Sequence, residues 1–293
     1  MKQLLKQTLP LLCLLAACTE RVNIRTGEGT RQLAVYGYLT SDTTRHAVTI
    51  SRSAGYFATT PPEGIPGATV TLSTDDATFR LAEDDRQPGT YLTAPGVFGV
   101  SGKSYTLDIS LDFDGDGEPE EYRATSYMPL TSAIDSIALR LSPVFKNQVE
   151  VLGYGTLPDN EKNFLSFHLY RNGTLLTGSL EDFLVVDDSH FRQKEMTGVL
   201  CQLLNQEEEE TTLADGDTVT LRVDILTEEY ARFIQQAQQE LRAANPIFGG
   251  PPANVVTNVQ CISHPGLTRI NGFFTAFPTH QKSAIWRAGE GAN

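Results

Sequence analysis

The stretch TVTLRVDI at residues 218–225 decides the fold class, because its polar and apolar residues alternate strictly. Every second side chain from Val219 to Ile225 is aliphatic, and the residues between them are threonine, arginine and aspartate. Successive side chains of a β-strand point to opposite faces of a sheet. This period of two therefore predicts a strand with one face on an apolar core and one polar face.

The same alternation recurs along the chain on both sides of this stretch. Clusters of Gly, Pro, Asp and Asn separate the alternating segments, and Asn172-Gly173 between two apolar runs predicts a tight hairpin. Many short strands with frequent turns are typical of antiparallel β-sandwiches, so we expect a mostly β fold. The other segments with this period are 48–51, 69–72, 104–109 and 165–170.

A change of pattern at Met128-Pro129-Leu130 divides the chain. The preceding strand stops there, and a new alternation begins at Ile134. We therefore expect two β domains, the first a sandwich and the second sandwich-like. The predicted units are a first sandwich over 31–130, a second β domain over 131–277 and a mobile tail over 278–293.

One segment of the second domain has helical spacing. Apolar residues from Tyr230 to Leu241 recur every three or four positions, which predicts an amphipathic helix near 228–243. Thr227 can cap its first turn, and Asn245-Pro246 ends it. We expect the apolar stripe to be a packing face and the glutamine-rich opposite face to be solvated.

The first 17 residues have the pattern of a bacterial lipoprotein signal peptide. Two lysines precede an apolar run over 9–17, which is far shorter than the ~20 residues of a membrane-spanning helix. LAAC at 15–18 matches the bacterial lipobox, in which the cysteine receives acyl chains such as palmitate. The alternative is an ordinary signal peptide with a cysteine there by chance. The sequence thus predicts a lipoprotein anchored to a membrane through Cys18, with residues 18–30 as a flexible tether.

The charge balance restricts the partners of the chain. Its formal net charge is −13, and removal of residues 1–17 takes away two lysines and no acid, which gives −15. Nucleic-acid phosphates require basic surface, so this balance excludes nucleic acid as a partner. It also argues against adhesion to anionic lipid, so the lipid anchor must hold the protein on the membrane.

Two cysteines remain after Cys13 is removed with the signal peptide and Cys18 is acylated. Export would place Cys201 and Cys261 in an oxidising compartment, where two thiols tend to form a disulfide. We therefore expect a bridge between them. The alternative is two separate buried thiols.

The acidic segment DFDGDGEPEE at 112–121 resembles part of a calcium-binding loop. Carboxylates at alternate positions with a glycine for the sharp turn are how a short loop surrounds calcium. The twelfth position, which needs a bidentate glutamate, is Arg123, and the flanking segments are strands. The alternative is a solvated hairpin tip whose residues favour turns. The candidate calcium ligands are Asp112, Asp114, Asp116 and Glu118.

The sequence contains no spacing that is typical of catalysis or of a cofactor. The five histidines are scattered, and there is no nucleophile elbow or Walker loop. The run DDSH at 187–190 has the letters of a catalytic triad, but neighbours in sequence rarely meet as one. We expect no cofactor and no enzymatic activity, and we expect His168 to be a structural residue.

Short motifs follow one another in a specific order along nearly the whole mature chain. They are the lipobox, LAVYGYL (33–39), VTISRS (48–53), IPGATVTL (65–72), GTY (89–91), GKSYTL (102–107), ATSYMP (124–129), IDSI (134–137), DGD (215–217), EEY (228–230), NP (245–246), PAN (252–254) and GFF (272–274). This order resembles an outer-membrane lipoprotein family, domain of unknown function 4249. Its members are often encoded beside TonB-dependent receptors that import nutrients.

The resemblance implies an N-terminal immunoglobulin-like sandwich, and two of its motifs are also similar to prealbumin-like sandwiches. It implies a non-catalytic lipoprotein that works as an accessory or binding partner of a TonB-dependent nutrient transporter. The alternative is a structural or adhesive surface lipoprotein, stiffened by calcium. The loops 59–66 and 246–258 are the candidate contact elements, because loops on rigid scaffolds commonly carry binding.

Overall fold

A computed structural model describes residues 32–53, 60–131, 133–159, 162–191, 194–243, 255–266 and 270–288. The fold is mostly β, as the alternation predicts, and its sheets pack in pairs as sandwiches. The predicted signal peptide and tether, residues 1–30, lie outside the described residues.

The first sandwich consists of two sheets that enclose one apolar core. Sheet A has the strand order β18-β1-β2-β7-β6, with β3 paired to β2, and sheet B has the order β17-β9-β8-β4-β5. The strands from the first half of the chain are β1 (Leu33–Thr40), β2 (Ala47–Arg52), β3 (Glu63–Gly64), β4 (Thr69–Ser73), β5 (Thr78–Arg80), β6 (Ala82–Glu83), β7 (Thr90–Leu92), β8 (Ser104–Leu111) and β9 (Glu120–Tyr127). The two from the second half are β17 (Gln260–Cys261) and β18 (Ile270–Phe277).

The second sandwich also consists of two sheets around their own core. Sheet C has the order β10-β11-β15, and sheet D has the order β13-β12-β16-β19, with β14 paired to β12. Its strands are β10 (Ala133–Leu141), β11 (Gln148–Thr156), β12 (Phe164–Arg171), β13 (Thr174–Leu175), β14 (Leu184–Asp187), β15 (Glu195–Asn205), β16 (Thr218–Leu226) and β19 (Thr279–Ile285). Two short 3₁₀ helices, Leu180–Asp182 and Asp188–His190, flank β14.

The deciding stretch 218–225 becomes strand β16 at the centre of sheet D. Val219, Leu221, Val223 and Ile225 are fully buried in the second core, together with Phe167 of the neighbouring strand. Each buried aliphatic side chain contributes about 1.5–3 kcal/mol, so this face holds the sandwich together. The face that the sequence marks as polar is covered around Asp224, which is buried, whereas Thr218, Thr220 and Arg222 stay partly exposed. The burial of Asp224 matters for the candidate site.

The last strand of the predicted second domain lies in the first sandwich. β18 pairs with β1 in parallel, with Leu33 opposite Ile270. Gly272 makes the pairing possible, since its φ is 93° and a Cβ there would lie 1.9 Å from the Val35 carbonyl oxygen. The predicted division into 31–130 and 131–277 is therefore wrong for β17 and β18, because strands far apart in sequence share one sheet.

The predicted mobile tail over 278–293 is wrong where the structure describes it. β19 (Thr279–Ile285) pairs with β16 in sheet D, and Trp286 is buried in the second core. The backbone N–H of Trp286 also donates a hydrogen bond to the backbone carbonyl oxygen of Asp217, 2.8 Å away. The alternation in THQKSAI is too polar to reveal a strand from sequence alone.

The single α-helix of the described residues, α1 (Glu228–Ala243), lies where its apolar stripe predicts it. The Thr227 hydroxyl caps its first turn by accepting a hydrogen bond from the Tyr230 N–H, 3.2 Å away. Tyr230, Ala231 and Ile234 of the stripe pack against Phe273 and Phe277 on the outer face of β18. The helix thereby fills the junction between sheet A and sheet D.

None of the helices in the part of the chain that the structure describes has the length and apolar character needed to cross a membrane.

Candidate functional site

A cavity of about 140 Å³ lies where the outer face of sheet A, the covered face of sheet D and α1 meet. We call it the junction cavity. Its walls combine aromatic and aliphatic side chains with a small group of charged and hydroxyl side chains. They are Tyr36, Tyr38, Ser166, His168, Tyr170, Leu175, Phe183, Arg222, Asp224, Leu226, Tyr230, Ile234 and Phe277.

Strand register brings the charged groups of the junction cavity together. β12 and β16 run antiparallel, with Ser166 opposite Asp224 and His168 opposite Arg222. The Arg222 Nε and Nη2 atoms donate to the two Asp224 carboxylate oxygens at 2.7 and 3.0 Å. His168 Nε2 lies 3.2 Å from Asp224 Oδ2 and 3.3 Å from the Ser166 hydroxyl. The carboxylate is thus fixed by a forked guanidinium on one side and an imidazole on the other.

The carboxylate of Asp224 is deeply buried, with 2% of the residue exposed. Burial opposes its ionisation, but the hydrogen bonds from His168 and Arg222 outweigh that effect and hold the pKa of Asp224 below its ordinary value. For Arg222, burial favours the neutral form, but the Asp224 carboxylate outweighs it and the pKa stays above its ordinary value. The pair is therefore an ion pair, and its two charges cancel.

Tyrosines from both sides of the junction line the cavity. The hydroxyl oxygens of Tyr36 on β1 and Tyr230 on α1 lie 2.9 Å apart and share a hydrogen bond. Burial raises the pKa of Tyr230 well above its ordinary value, and it raises the pKa of Tyr36 too. Tyr38 stacks on Phe277, with 5.9 Å between ring centroids, and 39% of it stays exposed. Aromatic walls with a few convergent polar groups are the usual composition of a ligand-binding pocket.

His168 is buried in the structure and is not a solvated surface residue. The sequence puts it on the polar face of its strand, but that face is covered by α1 and by the β14 region. The Phe183 ring contacts His168 edge-on, with 4.6 Å between ring centroids. His168 is buried and paired with Asp224, so it is both structural and part of the cavity wall.

The predicted calcium ligands lie at the tip of the β8–β9 hairpin. Carboxylate oxygens of Asp112, Asp114 and Asp116 approach within 4.8 Å of one another, and all three residues are exposed. Glu118 is not part of this group. Asp112 also accepts hydrogen bonds from the backbone N–H groups of Gly115 and Gly117, at 2.7 and 3.0 Å. These bonds stabilise the turn by themselves, so the geometry suits both a cation loop and a plain hairpin tip, and calcium binding stays a prediction.

The predicted disulfide between Cys201 and Cys261 is wrong, since both thiols are free and buried. Cys201 lies in the core of the second sandwich and Cys261 in the core of the first. Burial raises the pKa of the Cys201 thiol to about 12, which keeps it protonated. Cysteine count and compartment favour a bridge, but the fold places the two residues in different cores.

The other predicted site residues are only partly described. The lipidation residue Cys18 lies outside the described residues, as do residue 59 and residues 246–254 of the two predicted contact loops. In the first loop, β3 pairs with β2 and Ile65 is buried, so some of this segment belongs to the first sandwich.

The junction cavity itself is the functional candidate that sequence reasoning missed. Its signal was present in the deciding stretch, where Arg222 and Asp224 interrupt a polar face otherwise made of threonines. Two opposite charges two residues apart on one strand face can pair with each other. The sequence does not show that a helix and a second sheet cover this face and bury the pair.

Several solved structures match this chain. The chain is similar to the crystal structure of the chicken CNTN1 FN1-FN3 domains, with 12% sequence identity and a TM-score of 0.28. The alignment covers 67% of this chain and 62% of the CNTN1 chain, so this chain spans less than two thirds of the length of the CNTN1 chain. No curated protein matches the chain. A family model described as Domain of unknown function (DUF4249) matches residues 19–283, and the chain therefore belongs to this family.

Proposed function

We propose that this protein is a non-catalytic outer-membrane lipoprotein that binds a ligand in the junction cavity and works as an accessory of a TonB-dependent nutrient transporter. The observation that supports it best is the composition of the cavity. Aromatic side chains surround an internally neutralised Arg222–Asp224 pair, which can orient a bound molecule.

The arrangement of the polar groups favours binding over chemistry. Both Asp224 oxygens already accept hydrogen bonds from Arg222, and His168 Nε2 is directed to the same carboxylate. A general base or nucleophile needs a free reactive atom that faces the substrate. Groups that are held this firmly instead present fixed hydrogen-bond geometry, which gives selectivity in a binding site.

The membrane part of the proposal rests on the sequence. LAAC at 15–18 provides the acylation site, and the acidic surface requires a lipid anchor for stable membrane attachment. The transporter comes from the resemblance to lipoproteins encoded beside TonB-dependent receptors. A lipid anchor would hold the cavity close to such a receptor.

Affinity capture from the native membrane tests the proposal. A tagged, lipidated protein should enrich a TonB-dependent receptor over an untagged control, and a deletion strain should take up the receptor's nutrient more slowly. The matched control is Cys18→Ala, which should move the protein to the soluble fraction and remove the capture. Repeated capture of no receptor, together with unchanged uptake, would contradict the accessory role. A Cys18→Ala protein that stays firmly on the membrane would contradict the lipid anchor.

A second candidate function is a structural or adhesive surface protein stiffened by calcium. The convergence of three exposed carboxylates at 112–116 supports it. Under this alternative, calcium should promote attachment of cells to surfaces or to one another. Replacement of the three aspartates by asparagine should then abolish that attachment, while the same substitutions leave nutrient uptake unchanged.

A further inference from the structure

We infer that the junction cavity binds a single uncharged pyranose ring, such as one residue of a neutral glycan. The inference rests on the proposed function and specifies the chemical class of its ligand. Four properties of the cavity point to this class: its size, its charge balance, its aromatic platform and its hydrogen-bonding groups.

The size of the cavity suits one ring. A water-sized group requires about 10–15 Å³ of such space, so a cavity of about 140 Å³ holds roughly ten of them. One six-membered ring with its hydroxyl substituents has about that many heavy atoms. The cavity is too small to enclose a folded peptide segment or several linked rings, so the rest of a larger glycan would lie outside it.

The charge balance selects an uncharged ligand. Arg222 and Asp224 neutralise each other, and Asp224 is shielded from solvent. A carboxylate or an ammonium group beside this buried pair would bring in a charge without a free partner, which is costly. The net charge of −13 on the whole chain disfavours anions further.

The aromatic platform suits the apolar face of a pyranose. Tyr38 is supported from one side by Phe277, and 39% of the residue stays exposed, as does 41% of Tyr36. The C–H groups on one face of a pyranose carry a slight positive charge, and the faces of aromatic rings are slightly negative. A pyranose ring stacked on Tyr38 would make this contact through its C–H groups, and its hydroxyl groups would stay available for hydrogen bonds.

The hydrogen-bonding groups are mainly donors or can act as donors. Arg222 donates to Asp224 through Nε and Nη2, and its partly exposed side chain also donates a hydrogen bond to the Tyr170 hydroxyl, whose own proton can then be donated to a ligand. The hydroxyl groups of Tyr38 and Tyr170 lie in the same wall. The hydroxyl and ring oxygens of a sugar can accept hydrogen bonds from such donors. A purely apolar ring would leave these donors without hydrogen-bond partners.

Saturation-transfer NMR on the full-length lipidated protein tests this inference. The detergent must lack a sugar headgroup, because such a headgroup would compete for the cavity. The probes are the methyl glycosides of glucose, galactose, mannose and N-acetylglucosamine, with methyl glucuronide as the anionic and glucosamine as the cationic comparison. We expect at least one neutral glycoside to bind with a dissociation constant of about 1–10 mM, as suits a ligand of about twelve heavy atoms.

Two tyrosine variants assign the binding to the cavity. Tyr38→Ala should weaken binding of the neutral glycoside at least tenfold, and Tyr38→Phe should retain most of it because the ring remains. Tyr127→Ala is the matched control, since Tyr127 is exposed to a similar extent and does not line the cavity. Thermal unfolding of each variant checks that the fold is intact.

The outcomes separate the ligand class from the proposed function. Binding of no neutral glycoside, tighter binding of the charged probes, or equal binding by folded Tyr38→Ala would overturn the pyranose assignment. If receptor capture persists in any of these cases, the accessory function stands and only the ligand class is wrong. If the neutral glycosides bind but no receptor is captured, the ligand class stands and the transporter role fails.

Discussion

The acidic hairpin tip at 112–118 and the junction cavity both contain aspartates, and they show opposite relations between sequence and structure. The hairpin aspartates follow one another at alternate positions, and all of them are exposed. Asp224 has no motif around it, yet it is buried and bound by Arg222 of its own strand and His168 of the neighbouring strand. The regular pattern in the sequence therefore marks the site whose aspartates are exposed. The site whose aspartate is buried and hydrogen-bonded has no local pattern and is formed by the fold.

The difference follows from solvent. Water screens the carboxylates of the hairpin tip, so their mutual repulsion is small and no partner is required. At the junction, water is largely replaced by protein, and a carboxylate there must be paired to remain charged. The comparison predicts that equal substitutions in the two regions have unequal effects.

The largest expected effect is the loss of the buried partner in the junction. Asp224→Ala leaves the largely buried Arg222 guanidinium without its counter-charge and should lower the free energy of unfolding by about 3–5 kcal/mol. Asp112→Ala, the matched substitution at the hairpin tip, should cost about 1 kcal/mol or less, because solvent replaces its two hydrogen bonds. Urea unfolding of both variants measures the difference. If both variants lose the same free energy of unfolding, the predicted difference between the two regions is wrong.

Acidification should also lower the free energy of unfolding, because it protonates Asp224 and so removes the charge that pairs with Arg222. The pKa of Asp224 is lowered in the folded protein, so its contribution to stability is complete above the ordinary aspartate pKa of about 3.9 and is lost as the pH falls through the lower folded value. Thermal unfolding between pH 5 and pH 2 should show this loss. Asp224→Asn should make the curve flatter in that window, whereas a parallel curve would show that other carboxylates dominate.

Calcium should act on the hairpin tip and not on the junction. With a dissociation constant of about 0.1–1 mM, several millimolar calcium should stabilise the protein by about 1–2 kcal/mol. Asp112→Asn should remove this gain, and Asp224→Asn should retain it. If calorimetry gives no heat and the unfolding temperature is unchanged, the segment is a plain hairpin tip.

Reduction should have the smallest effect, which we expect to be zero. Cys201 and Cys261 lie in different cores, so dithiothreitol should leave the unfolding temperature unchanged. Both thiols should react with iodoacetamide in denaturant and resist it in the native protein, because they are buried. Mass spectrometry that finds a peptide pair linked through these cysteines in the unreduced protein would contradict the structure.

The sequence predicts the local elements well and their partners poorly. The alternation in β8 and β16 and the stripe of α1 depend on neighbours within one element, so their periods are visible in the chain. The pairing of β18 with β1 and of β19 with β16 depends on residues far away, for which no local pattern exists. The candidate site follows the same rule, because Arg222 and Asp224 are visible as charges while their burial comes from other elements.

The parallel pairing of β18 with β1 also sets the order in which the protein can mature. Ile270 is synthesised long after Leu33, so one edge of sheet A stays unpaired until β18 is present. Contacts between such distant residues form late and slow folding. A chain that stops short of β18 would expose part of the first core and the unpaired edge of β1, and so would be a target for proteases and aggregation. The first sandwich is therefore closed only after β18 has paired with β1.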